Sequence, residues 1–452
     1  MRNATRTRAE IADSVAAERR VHGALLGYQP MRMKPVHFAT SFFLALTGRA
    51  HRLEHLNKAA VPKSVPKDTR SVHDEYPAER LLPLLIDLGR VDTGMDLDSF
   101  RTLRSHLNAA YNNDGSALAA AFPPYKTFGA DYSAPTLDYV SASSKNHGYS
   151  GSFVIAILGA SEEGRAALTS IRSLLTLPPP PLSVFGTPLL DHEDEEWSDP
   201  RDELYGPLDP ARLQAVSALM LDCTMAIGRL ARNLERLRSN YALRYLVVGL
   251  CCWLFTYLMR QAGQQPLLLI DALQGDNARI RAQSRASYAR QLDRFATSYD
   301  RAFAAGDRGH IADSDWTVFA DSSDSRQILD DHFRDLGVRV GIVQPRSAVS
   351  KHKHVELQAD TVRALLLSLL EGGEVLTMAD FSDRLLATWC LCVGAGSEDS
   401  QLLRTNRLGP LDRDDDLRPN ALSFERLLVR LGLAVEPSDG LTLVALGADE
   451  LI

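Results

Sequence analysis

Gly159, Gly164 and Arg165 stand where a phosphate-binding loop of the form GxxxxGKS or GxxxxGKT carries its two glycines and its lysine. In such a loop backbone N–H groups wrap the phosphates, the lysine neutralises charge and the hydroxyl binds magnesium. Here Ala166 takes the hydroxyl position and cannot ligate a metal. Leu267 to Ile270 followed by Asp271 has the apolar-strand-then-acid shape of the companion magnesium site, and Phe153 to Leu158 reads as the buried strand that would precede the loop. These features define one reading of the chain, a nucleotide-dependent enzyme with a degenerate phosphate-binding loop. A plainer explanation competes: Ser161 caps a helix whose first turn holds Glu162 and Glu163, and Asp271 ends a buried element.

Metal chemistry has weaker starting points. Asp191 and His192 open an acidic stretch that runs to Glu203 and reads as a solvated loop, because a metal site needs ligands converging from a folded scaffold. His352 and His354 lack a third ligand. Cys390 and Cys392 lie two apart, with no second pair at zinc-ligand spacing. All five cysteines sit among apolar residues in segments that read as helix, as buried free thiols do. No metal or other cofactor is expected, and the thiols suit a reducing cytoplasm.

Arginines supply the remaining chemistry. Over Arg279 to Arg308, at about 100° per residue, Tyr288, Leu292, Phe295, Tyr299 and Phe303 gather on one side of a helix. Arg290, Arg294, Arg301 and Arg308 gather on the other, with Asp293 and Asp300 beside them. An arginine stripe can track phosphates through its planar fork of donors, and it can equally be a solvated face of mixed charge. Lys351 and Lys353 in a basic connector, and Arg426 and Arg430 on a late helix, complete the set of candidate contacts to nucleic acid or a partner.

The elements that must position these residues follow from periodicity. Leu213, Val216, Met220, Cys223, Ile227, Leu230, Leu234 and Leu237 recur at steps of three and four, the seam of a bundle helix that starts at Asp209 and Pro210. Tyr245 to Met259 is apolar all round and therefore buried all round, and it is shorter than the roughly 20 residues that span a bilayer. Val338 to Val343 alternates like a strand. From Gln358 onward a helix, a second helix capped by Thr377, a third capped by Ser423 after a polar insertion at 394–419, and a hairpin after Gly432 follow one another. That is the winged-helix order.

The fold expected is mainly α with minor β, a central helical bundle and a C-terminal winged-helix-like domain. Residues 1–176 form a helical region with one or two short strands, a basic arm and a long irregular loop. A Pro-rich and acidic linker covers 177–208, the bundle 209–310 and the winged-helix-like region 311–452. With 50 basic and 57 acidic residues the net charge is −7, which argues against bulk attraction to nucleic acid or an anionic membrane. The leading expectation is a non-catalytic cytoplasmic subunit or adaptor of a multi-protein assembly. Its partners would be other protein subunits, with DNA as a candidate and no membrane.

Overall fold

The computed structural model describes residues 150–176, 208–237, 242–304 except 264, 325–345, 352–436 except 397, and 442–446, with scattered positions between 17 and 101. It is mainly helical, 70% helix against 7% strand. The basic arm before residue 17, the Pro-rich and acidic stretches at 177–203, the loop at 122–149 and the boundary near 310 lie outside the described residues.

Helices α1 (Ser150–Gly159) and α2 (Glu162–Thr176) come first. The strand expected over Phe153 to Leu158 is therefore a correction: these residues are helical. Phe153, Val154, Ile157 and Leu158 are buried, and Phe153 lies 5.1 Å from Tyr257, so packing outweighs the preference of β-branched residues for a strand.

The seam runs through α3 (Pro210–Leu219) and α4 (Leu221–Leu237). Asp209 caps α3 by accepting from the Ala211 N–H at 3.3 Å, as its sequence position predicts. Met220 through Leu237 on the seam are buried, yet the two helices meet at 68° around Met220, so the seam turns a corner. Among the described residues no single helix is long and apolar enough to cross a membrane, and α3 with α4 passes that test by length and composition only as this bent pair.

Helix α5 (Ala242–Gln261) is enclosed on every side, as its composition requires. Trp253 stacks on Tyr257 and donates to the Thr224 hydroxyl at 3.3 Å, and Phe255 packs on Phe333. After it come β1 (Leu268–Leu269), α6 (Ala278–Ala304), α7 (Ser325–Val340), β2 (Val343–Gln344) and β3 (His354–Val355). The strand expected over Val338 to Val343 starts only at Val343, because Leu329, Phe333, Leu336 and Val340 recur at helical spacing and bury one face of α7. Gly341 at φ 84° then ends the helix.

The C-terminal part comprises α8 (Ala359–Leu369), β4 (Val375–Thr377), α9 (Met378–Trp389), β5 (Leu391–Cys392), α10 (Asp399–Thr405), a π-helical turn Arg413–Leu417, α11 (Arg418–Arg430), β6 (Ala434–Val435) and β7 (Leu443–Ala445). Thr377 caps α9 by accepting from Asp380 N–H, as predicted. The last long helix begins at Arg418 instead of Ser423, whose hydroxyl donates to Ala272 O at 2.9 Å, and the polar insertion itself contains α10 and the π turn.

Strand β1 pairs in parallel with β5, and Ile270 bridges in parallel to Val355. Asn420 on α11 fastens this junction: its Nδ2 donates to Ile270 O and Val393 O at 2.9 and 2.8 Å, and its Oδ1 accepts from Ala272 N–H at 2.9 Å. Helix α4 holds the open end of α8, where carbonyls lack helical partners. Asn233 donates to Leu367 O and Leu370 O, and Arg229 to Ser368 O and Glu371. One continuous apolar core reaches from Val21 to Val444.

Candidate functional site

The C-terminal part contains the three-stranded antiparallel sheet β4–β7–β6. Its register pairs Val375 with Ala445, and Leu443 with both Thr377 and Val435. Paired residues, and residues two apart on one strand, share a face. Leu376, Val444 and Ala434 therefore point to the core and are buried. Val375, Thr377, Val435, Leu443 and Ala445 form the opposite face, where Val375 is 54% and Val435 59% exposed. Four of these five side chains are apolar, an inversion of the inward-apolar, outward-polar pattern of a one-sided sheet.

Beside this sheet in sequence, α11 leaves Arg426 and Arg430 exposed, together with Leu422. The exposed Asp414 and Asp415 precede it, and their N–H groups bind the Asp412 carboxylate, which is held below the usual carboxylate range by those bonds. The surface is thus apolar at the sheet and of mixed charge along α11.

Arg290 and Arg294 are placed differently. Both leave α6 toward the turn that ends α10, where Arg290 Nη2 donates to Arg407 O at 2.8 Å and Arg294 Nη1 to Asn406 Oδ1 at 3.3 Å. They are half-buried against the chain instead of forming an open stripe. Arg301 lies in the last turns of α6 with its side chain outside the described residues, as are Arg308 and Lys351 altogether. Lys353 is buried and donates to Pro345 O. Burial, then the nearby Arg334, pushes its ammonium below the usual lysine range. It lines a cleft of about 300 Å³ with Arg285, Tyr288 and Asp330.

The phosphate-loop geometry of strand, loop and helix is replaced by two helices. Ser161 Oγ accepts from Gly164 N–H at 3.1 Å, the capping role of the plainer explanation, and Arg165 donates to Gly159 O at 3.0 Å. A side chain at position 164 would run into Leu158 O, so the glycine serves close packing of α1 on α2. Asp271 is fully buried and paired with Arg281, whose guanidinium also faces Glu356 at 3.8 Å. His354 binds Glu356 at 3.1 Å. Among the described residues no group of three or more His, Cys, Asp or Glu side chains is arranged to hold a metal.

All five cysteines are free and buried, as expected, and burial raises each thiol above its ordinary range. Two are corrected in their setting: Cys390 ends α9 in the left-handed conformation at φ 61°, and Cys392 lies on β5. Arg260 closes the same corner, donating to Leu219 O, Ala387 O and Thr388 O, and thereby caps two helix ends. A second cleft, of about 570 Å³, opens beside it between Leu219, Leu386 and Asn406.

Periodicity alone does not single out Val375, Val435 and Leu443 as surface residues. Both faces of these short strands are apolar, so only the register shows which face the core covers. Comparison with known protein families, with curated proteins and with solved structures finds no match to the chain.

Proposed function

We propose that the protein is a non-catalytic subunit or adaptor of a multi-protein assembly, and that it docks a protein partner through a winged-helix-like unit spanning residues 359–446, carried on a central helical bundle. The observation that carries this reading is the apolar outer face of the β4–β7–β6 sheet, centred on Val375, Val435 and Leu443. Covering the two half-exposed valines alone would contribute on the order of 2 kcal/mol to an association.

The order helix, strand, helix, helix and hairpin, interrupted by β5, α10 and the π turn before the last helix, with β4 paired to β7, supports the winged-helix reading. Such order does not itself dictate DNA binding. A recognition helix in the major groove presents polar side chains to bases and phosphates. Here the arginines of α11 share their helix with the exposed Leu422, and an acidic turn precedes that helix, which suits an apolar protein surface with a charged rim better than a phosphate backbone. The docking face itself would then meet protein and not DNA. A cytoplasmic setting belongs to the same proposal, supported by five buried free thiols.

The experiment is co-purification of the tagged full chain from its native cell at gentle salt, followed by nuclease and mass spectrometry. Protein partners at stoichiometric amounts that survive nuclease are the expected result. Recovery of the wild-type chain alone, or of partners that all leave with the nucleic acid, would overturn the proposal.

A further inference from the structure

We propose that Arg290, Arg294 and Arg407 form a binding site for a phosphate oxyanion. Arg290 and Arg294 are one helical turn apart on α6 and project to the same side. Their bonds to Arg407 O and Asn406 Oδ1 hold the turn after α10 against that side, and the exposed Arg407 side chain leaves from the same turn. Two segments more than a hundred residues apart thereby place Arg290 and Arg407 near enough for their charges to act on Arg294.

This cluster differs from the other arginine sites of the protein. Arg229 faces Glu371, Arg279 faces Asp416 and Arg281 faces Asp271. Among the described residues no carboxylate pairs with Arg290, Arg294 or Arg407. The mutual repulsion shows in Arg294, whose guanidinium is held below its ordinary value by burial first and then by Arg290 and Arg407. Arg290 Nη1 is buried without a hydrogen-bond partner. Each guanidinium carries five donors, and the contacts to the α10 turn use a small share of them. A phosphate would supply the missing negative charge and the missing acceptors in the planar, forked geometry that arginine matches.

The backbone at Arg407 adds an independent observation. It is left-handed, at φ 53°, in the turn where Leu408 N–H closes onto Leu403 O at 3.0 Å. Glycine or asparagine is the ordinary residue at such a helix end. An arginine is disfavoured there because its Cβ crowds the backbone. Occupancy by an anion would offset this. The site lies on α6 and the α10 turn, shares no residue with the sheet face proposed for docking, and does not depend on it.

The phosphate has two possible sources, a nucleic-acid backbone and a free phosphate or mononucleotide. The test is fluorescence anisotropy of a short labelled DNA, single- and double-stranded, at low salt, beside calorimetric titration with inorganic phosphate and with ATP. The full-length wild type and Arg407→Asn are compared; asparagine tolerates the left-handed conformation, so the turn is kept. Arg294→Gln serves as a second variant, and thermal melts confirm that all three are folded. The expected result is binding of at least one probe that weakens roughly five- to tenfold in either variant. If the probe is DNA, the salt slope should fall by about one per arginine removed. The probe that responds names the source. Binding of no probe by the wild type, or binding by both variants with wild-type affinity, would overturn the assignment.

Discussion

Arg290 and Arg294 on α6 and Arg426 and Arg430 on α11 are matched in residue type and in spacing, and either pair read from sequence is a candidate contact surface. The α6 pair is drawn onto the carbonyl and amide oxygens of the α10 turn, while the α11 pair stays in solvent. What separates them is a covering segment, residues 399–408, that lies over a hundred positions away in the chain. The difference teaches that spacing fixes which side chains share a helix face and says nothing of whether another element sits on it. It also separates two chemistries: an arginine pair whose charges are concentrated by partial burial, and a pair diluted at a surface where apolar contact offers more.

The same contrast between covered and open groups predicts the largest effect on stability. Burial raises all five thiols, so each folded value lies above the unfolded one. Their contribution is complete below the unfolded thiol value of about 8.5 and is lost as pH rises from there toward the raised folded values. At pH ~10 the folded protein should therefore be less stable than at neutral pH. Urea unfolding in reductant at neutral and alkaline pH checks it, and an unchanged midpoint would show that the thiols ionise freely in the folded protein.

Helix α11 contains both sides of the contrast within one element. Its inward Asn420 makes three hydrogen bonds to the strand junction, two of them buried. Asn420→Ala should cost about 3 kcal/mol, since two of the bonds removed leave buried carbonyls unpaired. A loss under about 1 kcal/mol in urea unfolding would mean that the junction relaxes or admits water. Between the arginines the expected gap is smaller. Arg290→Ala should destabilise by about 1–2 kcal/mol through the lost charge-assisted bond to Arg407 O. Arg426→Ala should stay within about 0.5 kcal/mol. Equal effects on chemical unfolding would show that the two arginine pairs are equally open to solvent.

Much of the helical framework was legible before the structure. The seam from Val216 to Leu237, the start at Asp209, the all-round burial of α5 and the Thr377 cap each rest on local pattern or local chemistry, and each is found. What was not legible depends on distant partners. The parallel pairing of β1 with β5 joins two-residue strands over a hundred residues apart, too short for any alternation to register. Phe153 to Leu158 and Val338 to Val340 have strand-like composition but are helical, because tertiary packing outweighs a weak intrinsic preference. The corner at Met220 leaves no mark on a seam whose spacing continues through it. Of the candidate site, Arg426 and Arg430 were visible as surface residues, whereas the outer sheet face was hidden by strands apolar on both sides.

The most direct test of the docking surface compares three full-length proteins in the same co-purification after nuclease: wild type, Val375→Lys with Val435→Lys, and Arg426→Glu with Arg430→Glu. Both double variants change exposed positions, so folding should be preserved. The expected result is that the sheet-face variant loses its protein partner while the α11 variant keeps most of it. Full retention by the sheet-face variant, with loss in the α11 variant, would contradict an apolar docking face and move the contact to the charged helix.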